Sequence, residues 1–412
     1  MIPRPRTADN GSTLLVALIM CLTIGTVLAS YLLLIGSRYK VTVRSQSWNT
    51  AVPVMEAGIE EAMTHVYDDG NNPTANGWTP DVLSGLPVYW KQRSFSDGSY
   101  FRATIYNATS NNPIIYSAGF VPSPFQTNSY ISRVVKVTGS QMPLIFVAFA
   151  SINSITFHGN GLAANSFNSS NPALSTNGQY DPSKTSTNGD VASVNGPVDF
   201  GNHSIAGNLY LGPNAASSVT AGQVSGTIYN NYNVDFPDVV LPTTIWLPAA
   251  TIGGRHDFTV SGDYYVSDSL DLQVEPGVSV RLRVDSTSFS PGNVNILTTN
   301  GNSGSLTIYQ VSGSGSMAGN VTVQSGRARN LYYYGLPGVT SITYGGTSSF
   351  IGVIYAPEAD FTLNGGGNNN GLIGSSITKT ITMNGHYNFH FDEDLLSSGP
   401  SRGFTVTSWQ EQ

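Results

Sequence analysis

Residues 14–35 form an uncharged apolar run bounded by Leu14 and Ile35, and no other stretch constrains the chain as strongly. At 22 residues the run is long enough to cross a bilayer. Past Arg38 the sequence turns one-sided. Val41, Trp48, Val52, Met55, Ile59 and Val66 recur at steps of 3, 4 or 7, which is a helix stripe. The pattern predicts one helix with two halves, the first suited to lipid and the second to a protein surface. Some 55 residues at 1.5 Å each span roughly 80 Å. The rest of the chain reads as cargo on that stalk.

Composition narrows the cargo. Only 10% of the 412 residues are charged, while 44 are Gly, and Ser, Thr and Asn abound. Short strands joined by tight turns suit such a chain, because Gly and Asn accept positive φ and β-branched residues suit the pleat. The net charge of −7 argues against a nucleic-acid surface, which needs clustered Lys and Arg. Cys21, the sole cysteine, lies inside the apolar run, so no intrachain disulfide forms and it reads as a small lipid-facing or packing residue.

Three readings of the N-terminus compete. A secretory signal would be cut after Ala29, but the apolar run continues past it to Ile35. A plain membrane anchor is the second. The third is a prepilin leader of residues 1–11, with cleavage between Gly11 and Ser12 sparing the hydrophobic helix. Here the residues resemble minor pilins of type IV pili and pseudopilins of type II secretion. Pro53, about forty residues past the cut, stands where pilin stalks bend. Met55-Glu56-Ala57-Gly58-Ile59-Glu60-Glu61-Ala62 is similar to a pattern common at the end of that helix in accessory pilins. Val16 departs from the family. Major pilins carry Glu there, and its absence resembles a tip pseudopilin or a membrane-held relative outside any filament. Glu56, Glu60 and Glu61 read as a solvated helix face.

Residues 68–143 carry a small antiparallel sheet, with strands expected at 88–95, 99–106, 114–121 and 132–138. The first pair flanks Asp97-Gly98, a hairpin signal. The helix stripe would cover this sheet, as in a pilin head. Arg102, Arg133 and Lys136 are expected to face outward.

From residue 144 to 396 the texture changes to short apolar pieces between Asn-Gly turns. Phe350-Ile351-Gly352-Val353-Ile354 aligns with Leu372-Ile373-Gly374-Ser375-Ser376, and Phe361-Thr362-Leu363-Asn364-Gly365 with Ile381-Thr382-Met383-Asn384-Gly385. Ile155-Thr156-Phe157-His158-Gly159 has a similar shape. Copies about 20 residues apart suit rungs of a parallel β-solenoid; a β-sandwich or several small β-domains are the alternatives. Residues 397–412 read as a tail. The expected class is thus mainly β with one long N-terminal α-helix: a pilin-like helix with a small antiparallel sheet, then a parallel β-solenoid (β-helix). The blocks Gly352 to Asp360, Leu363-Asn364-Gly365, Gly371 to Gly374 and His390 to Leu395 look like the C-terminal part of an uncharacterised bacterial β-rich domain that often follows a prepilin-type start. Ala206 to Gly212 fits its first half.

Catalysis would need grouped carboxylates on one face. The candidates are Asp263, Asp268, Asp271 and Asp285, without a spacing that stacks them, and Asp392, Glu393 and Asp394, which read as charge capping the last rung. Among His158, His203, His386 and His390 only the last two are closely spaced, suiting a metal or a hydrogen-bonded pair. Tyr332-Tyr333-Tyr334 suits a sugar platform or a solvated face, and residues 364–370 suit a corner loop. No catalytic, cofactor-binding or metal residue is assigned.

The pilin resemblance implies cleavage by a prepilin peptidase and assembly with other pilins or pseudopilins. It also implies a single pass through the bacterial inner membrane, with the C-terminal region periplasmic and a head of about 340 residues favouring a rare or tip position. Membrane-presented adhesion to a surface glycan and polysaccharide degradation are the alternatives.

Overall fold

The structure is a computed structural model that describes residues 12–69, 72–158, 160–220, 222–233, 235–317, 320–345, 349–364, 371–385 and 387–412. Gly11, His386 and residues 365–370 of the expected corner loop lie outside them. The chain divides into two compact units. One comprises the chain up to Met142 together with Gly403–Gln412, and the other is Pro143–Arg402.

In the first unit, helix α1 runs from Ser12 to Asp69 and passes through Pro53. The proline removes the N–H that would bond to the Asn49 carbonyl. The apolar half of α1 has no buried residue, leaving 15 large apolar side chains between Leu14 and Ile35 exposed. At about 2 kcal/mol each, keeping them in water would cost on the order of 30 kcal/mol, more than a domain's whole net stability. This half therefore requires a bilayer or protein around it. Its aliphatic hydroxyls are already satisfied: Thr23, Thr26 and Ser30 donate to the carbonyls of Met20, Thr23 and Thr26.

The second half of α1 covers a sheet. Strands β1 (Thr79–Leu83), β2 (Leu86–Ser94), β3 (Tyr100–Tyr106), β4 (Ile114–Pro122) and β5 (Tyr130–Pro143) pair as an antiparallel meander. Gly98 takes the positive φ of +82° that the β2–β3 turn requires. Ala51, Met55, Ile59, Ala62 and Val66 pack on Phe101, Ala103, Ile105, Ile115, Val135 and Val137. The approach is close. A Cβ on Gly119 would sit 2.5 Å from the Ala51 carbonyl oxygen, and the Ser117 hydroxyl donates to the Met55 carbonyl at 2.7 Å.

Three expectations need correcting here. The buried stripe begins at Ala51: Val41 is exposed, and Trp48, at the expected start of the cover, is 46% exposed with Arg133 of β5 over its ring. The sheet has more strands than the four expected, since β1 precedes them and Ser401–Glu411 pairs with β5. Residues 403–412 are therefore no tail. The Gln412 N–H bonds to the Val134 carbonyl and the Thr407 hydroxyl to the Thr138 carbonyl, an antiparallel order.

The second unit begins with β6 (Phe149–His158) and β7 (Asn160–Phe167). A parallel ladder follows: β8 (Gly262–Val266), β9 (Ser279–Val284), β10 (Ser305–Ser316), β11 (Leu331–Tyr344), β12 (Phe350–Asn364) and β13 (Gly371–Asn384). Strand β14 (Asn388–Asp392) joins β13 and β7. The aligned repeats are neighbours in register, Phe350 with Leu372 and Phe361 with Ile381. The third similar segment is the next strand of the ladder, since Ile381 and Thr382 pair with Ile155 and Thr156 of β6. Leu282, Ile308, Tyr333 and Ile354 stack in one buried column. A second parallel set of strands contributes another column, Phe258, Val274, Ile296 and Val323. Both columns belong to one hydrophobic core.

Candidate functional site

The first carboxylate set is dispersed, each member held by its own partner. Asp263 on β8 accepts from Arg281 of β9 (Nε to Oδ1, 2.6 Å) and from Thr244 at 2.7 Å. The Arg281 hydrogen bonds keep its pKa below the ordinary range against a smaller effect of burial. Asp285 is paired with Arg283 at 2.7 Å. Asp271, on the other parallel sheet, accepts from the Asn293 backbone N–H at 2.8 Å and side chain at 2.6 Å. Asp268 meets the buried His256 at 2.9 Å. Burial raises its pKa, but the His256 bond, the Leu270 N–H and the His256 charge together leave it lowered. These groups tie neighbouring strands and turns together.

The second set converges where β14 ends. Asp392 is fully buried, and its Oδ1 accepts from the backbone N–H groups of Ser169 (2.9 Å) and Asp394 (3.2 Å). Asp394, also buried, accepts from the hydroxyls of Ser170 and Ser398 and pairs with Arg329 at 3.2 Å. Glu393 accepts from Ser166 at 2.7 Å and Asn188 at 2.9 Å. The His390 Nδ1–H donates to the Asn165 carboxamide oxygen, 2.6 Å away, and the ring stacks on Tyr180 with centres 3.7 Å apart. The charge expected to cap the last rung is thus a buried latch. It draws the segment after β7 and the short helix Leu395–Ser398 onto the end of β14. Arg329, Ser170 and Asn188 carried no sequence signal, because the Ser170 and Asn188 bonds span more than 200 residues, the Arg329 pair spans 65, and no local pattern marks them.

Burial governs the titration of this latch. It lowers the His390 pKa to about 4. It raises the Asp392 carboxyl, opposed by the Ser169 and Asp394 hydrogen bonds and reinforced by the Asp394 charge. Burial first, then the Asp394 and Asp392 charges, raise the Tyr332 phenol.

Alternation on β11 makes residues 332–334 neither a sugar platform nor a solvated face. Tyr333 points inward, fully buried, and donates to the Gln310 carboxamide oxygen. Tyr332 and Tyr334 face the other way and are largely covered. A different aromatic group is open. Tyr210 and Tyr229 stack at 5.1 Å, Tyr232 adds a third ring 4.5 Å from Tyr210, and Tyr229 is 45% exposed. The Tyr210 hydroxyl reaches Asp190 at 3.3 Å, and burial followed by the Asp190 charge pushes its pKa up to about 12.

Of the other singled-out residues, His158 is exposed and His203 is buried against the Phe200 carbonyl at 3.1 Å. Among the described residues, no group of three His, Cys, Asp or Glu side chains converges to hold a metal. Glu56 and Glu60 are exposed as expected, but Glu61 pairs with Lys91 and Arg93 of β2. It borders a 420 Å³ cavity between α1 and the sheet that includes His65 and Trp78. Arg102, Arg133 and Lys136 lie over the rings of Trp90, Trp48 and Tyr116.

A domain of unknown function (DUF7305) matches residues 247–397. The match includes β8 to β14 and the carboxylates of the latch, and leaves out the tyrosine group around Tyr210. No curated protein matches the chain. Among solved structures, a glycosylated ice-binding protein from an Arctic yeast is similar at a TM-score of 0.29 and 14% identity, over 61% of this chain and 94% of that chain.

Proposed function

We propose that this chain is an exported minor pilin-like structural protein that presents a non-catalytic β head from a membrane-anchored helix. One observation carries the reading: a single helix leaves 15 apolar side chains exposed in one half and covers a small sheet with the other. In this reading a prepilin peptidase cuts after Gly11, Ser12 becomes the first residue, and the span from Leu14 to Ile35 stays in the inner membrane with the rest periplasmic. Other pilins or pseudopilins are then its partners. The parallel ladder, with its two inward columns, forms the coils of a β-solenoid. A structural role for the head is supported by its candidate carboxylates, each engaged by an ion pair or hydrogen bond. Mass spectrometry of the protein purified from membranes tests the reading. A mature chain starting at Ser12 is expected, and an intact chain in the soluble fraction would sink it.

The stacked Tyr210 and Tyr229 rings support a second reading, in which the head binds a surface glycan. Exposed aromatic faces beside a carboxylate offer a sugar both an apolar platform and a hydrogen-bond acceptor. Glycan-array binding that disappears in Tyr229→Ala is the expected result, and an array without signal removes the reading.

A further inference from the structure

The β4–β5 loop closes against α1 just beyond the apolar run and leaves a cavity of 580 Å³. Lys40 and Arg44 line one wall; Ser123, Gln126, Ser129 and Tyr130 line the other. We propose that this cavity binds the phosphate headgroup of an anionic membrane lipid. The inference rests on the membrane-spanning reading of residues 14–35.

Depth is the first argument. Lys40 and Arg44 are five and nine residues past Ile35, about 7.5 and 13.5 Å along the helix. The headgroup layer extends about 5–8 Å beyond the hydrocarbon on each side. Helical Cα–Cβ bonds tilt toward the N-terminus, here toward the bilayer, so the long Arg44 side chain is directed back to the layer that Lys40 already occupies.

Charge is the second. Among the described residues neither Lys40 nor Arg44 has a carboxylate partner or lies over an aromatic ring, whereas Lys91, Arg133, Arg281 and Arg283 are ion-paired and Arg102 and Lys136 lie over rings. Spaced by four residues, the two free cations share one helix face. A phosphate between them would also meet the hydroxyls and carboxamide of the opposite wall.

The loop supplies the third argument. Its ends are fixed by the Ser123 N–H bonding to the Ser129 carbonyl at 2.8 Å. Phe125, 46% exposed, meets Tyr39 edge-on with ring centres 6.3 Å apart. Tyrosine is enriched at that depth of a membrane, and the cavity lies directly beside the Tyr39–Phe125 pair. This position favours a lipid headgroup over a free phosphate.

The test uses the full chain in neutral detergent with equimolar phosphatidylglycerol and phosphatidylcholine, and native mass spectrometry reads the lipid retained. One phosphatidylglycerol per chain is expected. Lys40→Gln combined with Arg44→Gln should reduce its retention about 30-fold, from roughly fivefold per cation at an anionic surface. Both side chains are exposed, so the fold is not at stake. Arg38→Gln, basic but outside the cavity, should retain the lipid. Equal retention of both lipids by the unaltered chain, or equal loss in Arg38→Gln, would overturn the proposal. Displacement by millimolar inorganic phosphate would reassign the cavity to free phosphate and overturn it too. Flotation with phosphatidylcholine vesicles separates the two readings. A chain that floats but shows no lipid preference keeps its anchor and loses the headgroup site, and a chain that does not float loses both.

Discussion

Arg133 and Glu411 lie 278 residues apart in the chain and meet in a two-pronged ion pair, each prong 2.6 Å long. The pair joins β5 to Ser401–Glu411, so the large unit is inserted between two adjacent strands of the small sheet.

The strand matters more than the ion pair. Glu411 is 44% exposed, and solvent-screened pairs contribute about 0.2–1 kcal/mol. Arg133→Ala should therefore lower stability by no more than about 1 kcal/mol. Deleting residues 403–412 removes the strand and the contact of Phe404 with the helix–sheet core, and bares the edge of β5. A loss of several kcal/mol, with increased aggregation, is expected by calorimetry and light scattering.

Gly58 is set against Phe101 and Ser117. An added Cβ would lie 2.9 Å from the Phe101 ring and 2.3 Å from the Ser117 hydroxyl, which is already bonded to Met55. Alanine would gain about 1 kcal/mol in helix propensity. Overpacking costs about 1–3 kcal/mol, and loss of the buried hydrogen bond adds to it. Gly58→Ala should therefore destabilise the first unit by about 1–2 kcal/mol in denaturant titrations. Gly36→Ala, with nothing within 4 Å, should not.

His390 gives the second unit an acid-sensitive term. Its pKa falls from 6.5 to about 4 on folding, so between those values the unfolded chain binds a proton that the folded one does not. The stabilising contribution is complete above pH 6.5 and is lost as pH falls toward 4, by about 3 kcal/mol in all. The raised Asp392 pKa acts in the opposite sense, favouring the folded state as that carboxyl takes up its proton. Unfolding titrations across this range should show a slope that is removed in His390→Gln.

The latch carboxylate Asp394 satisfies two hydroxyls and a guanidinium from three separate segments. Asp394→Ala leaves them facing a buried void. With Arg329 36% exposed and able to rehydrate, the cost should be about 2–3 kcal/mol rather than the larger value of a fully buried pair. Thermal unfolding checks it, and hydrogen exchange should quicken at residues 168–171.

Legibility in the sequence followed the range of the interactions. The ladder was readable because stacked strands repeat the same side-chain shape, as Phe350 and Leu372 or Ile381 and Ile155 do. The helix was readable as well, but periodicity does not say where contact stops, so a cover expected from Trp48 to Val66 is buried only from Ala51 on. Phe404 and Val406 alternate as a strand should, yet nothing local names β5 as the partner. The latch was the least visible part. Asp392 and Asp394 look like surface charge until Ser169 and Ser170 arrive from more than 220 residues away.

The crossing points of the insertion have an evolutionary consequence. The chain leaves the small sheet after Met142 and returns at Gly403, where the Met142 side chain lies close by. A cassette whose two ends enter neighbouring strands can be lengthened, shortened or exchanged without moving the helix or the sheet that carries it. Relatives are then expected to keep the frame and to differ most in what it holds.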